Sequence, residues 1–387
     1  MNTPLKHLLF LATLLVLAVS TAHAAIDPTT VQKLLADDGA SHYFGASVSV
    51  SADGSIALIG ACGDYGEEGS AYIFVQAADG SWKQQAKLTA NDGVIENYFG
   101  VVVSLSADGN TALIGAYFDD AKGSDSGSAY VFVRAADGTW TQQAKLTAAD
   151  AAAEDYFGWG VSASADGKTA LISAAGDDDW SGSAYVFVRD FNGSWTQQAK
   201  LTANDGAAEA YFSWNSSLSA DGSTAIIGTP GDIGTPGDYG KEGSAYIFVQ
   251  AADGTWTQQA KFTANDGAAE DYFGVAVSLS ADGNTALIGA MGDDDKGDSS
   301  GSAYIFVRAA DGTWTQQTKL TANDGAAEDG FGGYGVSLSA DGGTVLIGAI
   351  GDDDNGNWSG SAYVFGGPSV PAKMNMAPIY KLLLLKR

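Results

Sequence analysis

The sequence has very few of the residue types that usually build catalytic and zinc centres. It contains one cysteine, Cys62, and three histidines, of which only His42 lies beyond the first 24 residues. One cysteine excludes an intrachain disulfide. The few Cys and His residues also do not form any of the spaced motifs that bind zinc. A Ser-His-Asp or Cys-His arrangement would have to depend on His42. On this ground we predict that the chain is not an enzyme.

Positive charge is also scarce, with 19 Lys and Arg against 46 Asp and Glu and a formal net charge of −27. Nucleic acids and anionic membrane surfaces attract cations, so both are excluded as expected partners. The one long apolar run, Leu8 to Val19, follows Lys6 and precedes the small-x-small site Ala22-His23-Ala24. This order is typical of a secretory signal peptide rather than a spanning helix. We therefore predict a signal peptide over residues 1–24 and a mature chain that is secreted or displayed on the cell surface, without a membrane span.

Repetition is what the sequence has in abundance. A phenylalanine, usually followed by glycine, recurs at intervals of 55, 58, 55, 61 and 58 residues. These anchor phenylalanines are Phe44, Phe99, Phe157, Phe212, Phe273 and Phe331. A fixed period of this size indicates a repeat architecture.

Each repeat divides into four strand-like runs. In the clearest copy they are Phe273 to Ser280, Thr285 to Ala290, Ala303 to Arg308 and Thr313 to Leu320. The third run is apolar on both faces, as in a sheet that is buried on both sides, and the fourth alternates like a half-exposed outer strand. Asp282-Gly283 and Asp311-Gly312 are typical two-residue hairpin turns. A four-stranded antiparallel sheet that is repeated radially is a blade of a β-propeller.

The strand count predicts the number of blades. The fourth strand occurs only five times, beginning at Trp82, Trp140, Trp195, Trp256 and Trp314. At the other end of the chain, Lys33 to Gly39 aligns with Lys87 to Gly93, the end of such a strand and its following loop. We predict an all-β, six-bladed propeller over residues 25–365, with the N-terminal strand closing the last blade. Seven blades remain an alternative, and residues 366–387 are predicted to be a disordered tail.

The pairing of YFG with a downstream LIGA or IIGT resembles the FG-GAP repeat of the integrin α-subunit head and of secreted bacterial proteins. The resemblance covers about residues 33–365 and implies a propeller whose N-terminal strand closes the last blade. Two departures limit it: that family's calcium hairpins read D-x-D-x-D-G where this chain has SADGNT, and the integrin head usually has seven units. The calcium sites and the adhesive partners of the family are therefore not carried over.

In a propeller, the loops between strands two and three and between strands four and one share one face. In this chain those loops carry the aspartate triplets and the TANDGAAED-type segments, and we name this surface the acidic loop face. Neighbouring carboxylates repel one another, which a bound calcium ion would relieve. The candidate calcium ligands are Asp177, Asp179, Asp293, Asp295, Asp352 and Asp354. The alternative is that they are solvated turn residues that cap backbone amides, because contiguous triplets lack the alternating spacing of calcium loops.

Four tryptophans have no counterpart in most repeats and map to the acidic loop face: Trp159, Trp180, Trp214 and Trp358. Exposed aromatic residues on such a surface are candidate ligand contacts, with packing under the loops as the alternative. Blade four also carries an insertion, Pro230 to Gly240, and Ser213 in place of the anchor glycine. We expect a ligand near this blade.

These observations predict a monomer that recognises or adheres to a protein or a glycan non-covalently through its acidic loop face. One alternative is a passive structural module of a surface or matrix. Another is a sialidase-like glycoside hydrolase, since AADGTW loosely resembles that family's aspartate box, although its Asp and Gly are adjacent rather than separated.

Overall fold

The structure is a computed structural model that describes residues 32–39, 43–63, 68–93, 96–206, 210–231, 242–354, 356 and 358–366. These residues form 23 strands in six antiparallel sheets and one short helical turn. The prediction of an all-β, six-bladed propeller is confirmed, and the alternative of seven blades is wrong. The predicted signal peptide, His42, most of the blade-four insertion and the C-terminal tail beyond Gly366 lie outside the described residues.

The first three blades contain four strands each. Blade one comprises β1 (Val48–Val50), β2 (Ile56–Ala61), β3 (Ser70–Gln76) and β4 (Trp82–Leu88). Blade two comprises β5 (Val103–Leu105), β6 (Thr111–Ala116), β7 (Ser128–Arg134) and β8 (Trp140–Leu146). Blade three comprises β9 (Phe157–Ala163), β10 (Thr169–Ala174), the helical turn α1 (Asp177–Trp180), β11 (Ser183–Arg189) and β12 (Trp195–Leu201).

The remaining blades follow the same order, except that the last has three described strands. Blade four comprises β13 (Asn215–Leu218), β14 (Thr224–Thr229), β15 (Ser244–Gln250) and β16 (Trp256–Phe262). Blade five comprises β17 (Val277–Leu279), β18 (Thr285–Ala290), β19 (Ser302–Arg308) and β20 (Trp314–Leu320). Blade six comprises β21 (Phe331–Leu338), β22 (Thr344–Ala349) and β23 (Ser361–Gly366).

The Asp-Gly turns form as the sequence predicts. In blade five, Oδ1 of Asp282 accepts hydrogen bonds from the Ser280 hydroxyl at 2.6 Å and from the Asn284 amide at 3.0 Å. Gly283 has φ +68°, a backbone conformation that glycine adopts without steric cost. The aspartate side chain and the glycine backbone therefore close the turn together.

The core consists of apolar layers between neighbouring blades. Leu113 and Val131 of blade two pack in one fully buried cluster with Phe157 and Ile172 of blade three. Full burial of such a side chain contributes about 1.5–3 kcal/mol. The third strands of blades two to five are apolar on both faces because each contacts the blade on either side.

Serine hydroxyls connect the innermost strands of consecutive blades. Ser104 Oγ accepts the Ala163 amide at 3.1 Å, and Ser162 Oγ accepts the Leu218 amide at 3.0 Å. The same bond recurs from Leu105 to Ser49, from Leu279 to Ser217 and from Leu338 to Ser278. These bonds hold the first strands around a common axis.

In blade six, the face of the sheet that would pack against a following blade is exposed. Leu346 and Val364 are 46% and 65% exposed, whereas the equivalent Leu113 and Val131 in blade two are fully buried. Among the described strands, β23 pairs only with β22.

The described part of the N-terminal segment, Gln32 to Gly39, contains no strand and contacts blade one. Leu34 packs against the cluster that includes Ile59 and Tyr72, and Asp38 accepts hydrogen bonds from Tyr72 and Lys87. Leu88 and Asp92 make the equivalent contacts with blade two. Closure of blade six by the N-terminal strand stays a prediction, because most of that strand precedes Gln32.

Candidate functional site

A tyrosine precedes five of the six anchor phenylalanines and has a left-handed backbone with φ of 54° to 57°. These residues are Tyr43, Tyr98, Tyr156, Tyr211 and Tyr272. The phenylalanine points into the core, where Phe157 makes an edge contact with Tyr185, while Tyr156 stays partly exposed. A non-glycine residue in this region is uncommon, and its cost is about 1–3 kcal/mol. Because five blades share this strain, it belongs to the repeat and does not mark one site.

On blades two to four, three of these tyrosines become part of a continuous group of eight partly exposed rings, which we name the aromatic arc. Its members are Tyr98, Tyr117, Phe118, Tyr156, Trp159, Trp180, Tyr211 and Trp214. Trp159 lies 4.7 Å from Tyr117 and 4.8 Å from Trp214, measured between ring centroids. Trp180 lies 5.1 Å from Tyr156 and 5.3 Å from Tyr211. These distances are typical of attractive aromatic pairs.

Trp159 and Trp214 also line a central cavity of about 540 Å³, which is bordered by the starts of the innermost strands of all six blades. The same repeat position holds Ala46, Val101 and Val275 in blades one, two and five. A scaffold with nearly equivalent blades thus has two adjacent indoles on blades three and four, and Tyr334 of blade six is a third aromatic lining residue. The described lining residues are apolar, aromatic or neutral polar, and none is charged.

The structure brings three of the four predicted tryptophans together. Trp159, Trp180 and Trp214 belong to the aromatic arc, as the prediction of a ligand site near blade four requires. Trp358 lies in blade six, is 61% exposed and makes no ring contact with a described residue. Use of the arc as a ligand site stays a prediction at this stage.

Blade four differs locally at the start of its inner strand. Ser213 is fully buried with φ +70°, and its hydroxyl has no hydrogen-bond partner in the described part of the chain. Glycine fills this position in the other blades. At the equivalent Gly274, an added Cβ would lie 2.1 Å from the Ser244 carbonyl oxygen. The serine therefore strains the backbone immediately before Trp214.

The first aspartate of each triplet is a buried hydrogen-bond acceptor. Asp293 accepts from the hydroxyls of Ser302 and Tyr304 at 2.8 and 2.9 Å, and Asp352 accepts from Ser361 and Tyr363 at 2.6 and 2.9 Å. In blade three, Asp177 accepts from Tyr185 and lies 2.7 Å from the Lys200 ammonium. The third aspartates, Asp179, Asp295 and Asp354, are exposed.

Asp266, Asp293 and Asp295 have carboxylate oxygens close enough together to suggest a metal site. The Lys319 ammonium lies 2.8 Å from Asp266 and 2.7 Å from each of the other two. Burial opposes ionisation of Asp293 most strongly, but hydrogen bonds from Lys319, Ser302 and Tyr304 outweigh it and lower its pKa. These residues do not fit a metal ion, because a lysine ammonium already occupies the space between them.

Blade six has no such cation, since no described lysine or arginine lies within ion-pair distance of Asp352. The single hydroxyl proton of Tyr363 is shared between Asp324 and Asp352, each of which has a carboxylate oxygen 2.9 Å from the hydroxyl. Calcium binding at Asp352 and Asp354 stays a prediction.

Asp155, next to the arc, is a buried carboxyl with an altered pKa. Burial is the main cause and raises its pKa to about 6, with contributions from Asp177 and Asp150, while the Ala152 amide opposes the shift. The Ala152 amide donates to Asp155 Oδ2 at 2.6 Å. The carboxyl therefore caps its own loop.

Sequence reasoning missed five members of the arc: Tyr98, Tyr117, Phe118, Tyr156 and Tyr211. Tyr117 and Phe118 stand where blade five has Met291 and Gly292, so a comparison of the repeats carries a signal for them. The tyrosines before the anchors are repeat residues and gave no such signal.

The family model for the FG-GAP repeat matches six segments, residues 28–74, 82–132, 140–187, 195–248, 256–306 and 314–365. The chain belongs to the FG-GAP repeat family. No protein with a curated description matches it in sequence. In the described residues, no helix has the length and hydrophobicity needed to cross a membrane.

Many solved structures are similar to this FG-GAP propeller. The Pseudomonas aeruginosa periplasmic gluconolactonase PpgL matches with a TM-score of 0.54 at 16% identity, over 83% of this chain and 81% of that one. Sqt1 from Chaetomium thermophilum matches with a TM-score of 0.50 at 14% identity, over 85% of this chain and 70% of that one. At these identities the similarity shows the fold.

The gluconolactonase overturns the prediction that the chain is not an enzyme. That prediction depended on the scarcity of Cys and His. It is wrong, because a propeller with a similar fold is an enzyme. A propeller fold therefore does not exclude catalysis.

Proposed function

We propose that this FG-GAP propeller recognises a ligand non-covalently through the aromatic arc and the mouth of the central cavity. The observation that carries the proposal is the contact of Trp159 with Trp214 at a repeat position that is aliphatic in blades one, two and five. Large aromatic residues around a recess are frequent binding hot spots. The repeat fold itself does not require indoles here, since alanine, valine or glycine occupies this position in its other copies.

The surroundings of the arc support recognition at the acidic loop face. The arc combines residues that precede a first strand with Trp180 from α1, which lies between a second and a third strand. Loops of both positions therefore contribute to one surface. Several carboxylates next to it are bound to lysines, including Asp177 to Lys200, which fixes their positions. The predicted signal peptide supports a secreted or cell-surface location for this activity.

The test is retention of cell-surface protein and polysaccharide fractions from the producing organism on the immobilised chain. Substitution of both Trp180 and Trp214 by Ala should reduce retention by about ten-fold or more, a loss near 1.4 kcal/mol. The matched control is Trp358→Ala, which removes an exposed indole outside the arc and should retain binding. Equal retention by all three chains, or none by the wild type, would favour the passive structural module.

A second candidate is hydrolysis of a sugar lactone, favoured by the similarity to the periplasmic gluconolactonase and by a central cavity large enough for a six-carbon lactone. Proton release from glucono-δ-lactone, corrected for spontaneous hydrolysis, measures it directly. A rate above background that falls in Trp214→Ala would support this candidate, and a rate equal to background would reject it.

A further inference from the structure

We infer that the central cavity binds an uncharged sugar ring, the end unit of a neutral glycan. This inference rests on the proposed binding function and specifies the chemical class of its ligand. It follows from three properties of the cavity: its aromatic wall, its neutral polar groups and the charge around it.

The aromatic wall has the geometry for a ring with apolar faces. The indoles of Trp159 and Trp214, which both line the cavity, are inclined by 49° with centroids 4.8 Å apart. Around the axis, Val48, Val277 and Gly333 are smaller than the indoles, and Tyr334 of blade six adds a further aromatic ring to the lining. A pyranose presents C–H groups on its faces and hydroxyls on its edge, so it can pack against indoles while its hydroxyls remain available.

The cavity also offers neutral hydrogen-bonding groups for such hydroxyls. Ser47 Oγ and Ser278 Oγ each accept a backbone amide at 3.1 Å, and a serine hydroxyl that accepts still carries a proton to donate. Asn215 Oδ1 accepts the Val277 amide at 3.4 Å, which leaves the amide NH₂ of Asn215 as a donor. These groups lie on blades one, four and five, so the polar contacts surround the aromatic wall.

Charge selects against acidic sugars. No described lining residue carries a positive charge, so a carboxylate, sulfate or phosphate in the cavity would be desolvated without a partner. The chain as a whole carries a formal charge of −27, and the exposed Asp178 and Asp179 flank the arc beside Trp180. Anionic ligands are therefore repelled on approach as well as after entry.

The experiment is a glycan array with matched pairs that differ only in charge. Cellobiose is compared with its glucuronate-terminated analogue, and a galactoside with its 6-sulfate. We expect neutral members to bind and acidic members to bind at least about ten-fold more weakly, at 150 mM salt so that distant charges are screened. Equal or stronger binding of the acidic members would overturn the inference.

Variants separate this inference from the proposed function. Trp214→Ala should weaken binding of the best neutral glycan by about ten-fold or more, Trp214→Phe should lose less because it keeps a ring, and Trp358→Ala should match the wild type. Circular dichroism confirms that each variant is folded. If surface fractions bind in a Trp214-dependent manner but no neutral glycan does, recognition stands and the sugar inference fails. If neutral glycans bind all variants equally, the cavity is not their site and the inference also fails.

Discussion

The ammonium nitrogen of Lys319 lies 2.7 Å from the buried carboxylate of Asp293 and also contacts Asp266 and Asp295. It lies 5.4 Å from the centroid of the Tyr304 ring. A covalently attached cation thus neutralises a group of carboxylates that would otherwise repel one another. The same arrangement occurs in blade three, where Lys200 contacts Asp150, Asp177 and Asp178.

Substitution of Lys319 by Met should convert this group into a calcium-dependent one. The variant should lose on the order of 2 kcal/mol of unfolding free energy, a value between those of exposed and buried ion pairs. An intermediate value is expected because Lys319 and Asp293 are mostly buried, whereas Asp266 and Asp295 are half-exposed. Calcium should raise the melting temperature of Lys319→Met in a calorimetric scan, because three free carboxylates are hard-cation ligands. The control is Lys168→Met, which removes an exposed ion pair with Asp166. This variant should change neither the unfolding free energy nor the response of the melting temperature to calcium. A calcium response equal to that of the wild type would contradict the prediction.

Substitution of Asp155 by Asn should stabilise the protein at neutral pH. The folded-state pKa of about 6 exceeds the ordinary value of 3.8, so the protonated carboxyl contributes stability that is complete below about pH 4 and lost as the pH rises through 6. Asn stays neutral throughout, and the variant should gain on the order of 2 kcal/mol at pH 8 and almost nothing at pH 4. Urea unfolding of both chains at each pH measures the difference.

Asp137 provides a control of opposite sign for that pH series. Hydrogen bonds from Thr139 lower the pKa of this exposed turn carboxyl. Asp137→Asn should therefore be less stable than the wild type at neutral pH, and the deficit should shrink as the pH falls below the ordinary pKa. A gain in stability for Asp137→Asn at pH 8 would show that general charge reduction, and not burial of Asp155, causes the effect.

Substitution of Ser213 by Gly should stabilise blade four. The change removes a side chain from a left-handed backbone and a buried hydroxyl without a partner, and a gain of about 1 kcal/mol is expected. The reciprocal change, Gly274→Ser in blade five, should be destabilising because its Cβ would meet the Ser244 carbonyl oxygen at 2.1 Å. Thermal melting of both variants checks the pair. Stabilisation by both would show that this position tolerates a side chain in any blade.

Closure of blade six can be tested by a disulfide. In blade one, Ala71 pairs with Leu88, and by repeat equivalence Ala362 should pair with Leu34 when the N-terminal strand is in place. Leu34→Cys with Ala362→Cys should form a disulfide on oxidation, since opposed strand residues have the required separation. Leu35→Cys with Ala362→Cys should not, because a shift of one residue reverses the side-chain direction. Equal yields from the two pairs, measured by mass spectrometry, would contradict the predicted register.

The propeller could be predicted because its signals are local and repeated. Phe273, the Asp282-Gly283 turn and the apolar run from Thr285 to Ala290 recur with their spacing in each copy, so the strand order followed directly. The junction between the last and first blades was harder to predict from the sequence. Leu346 and Val364 have the same sequence pattern as their buried equivalents, and pattern alone does not report whether a neighbour covers them.

The site was harder to predict because it depends on contacts between distant residues. Lys319 lies on an outer strand and Asp293 in a loop 26 residues earlier, and in sequence the lysine is one polar residue of an alternating strand. The triplets therefore suggested an external cation rather than an internal one. The unmatched tryptophans were visible in the sequence, but their contact with Tyr117 and Phe118 depends on the separation of neighbouring blades.

The serine bond between neighbouring inner strands has a consequence for how such proteins change in size. At each of the five boundaries from blade one to blade six, the earlier copy supplies the acceptor hydroxyl and the following copy supplies the amide. These five boundaries therefore use the same two groups, whichever copies meet there. Duplication or loss of a complete copy creates no unmatched boundary, and chains with more or fewer copies can arise from one ancestral unit.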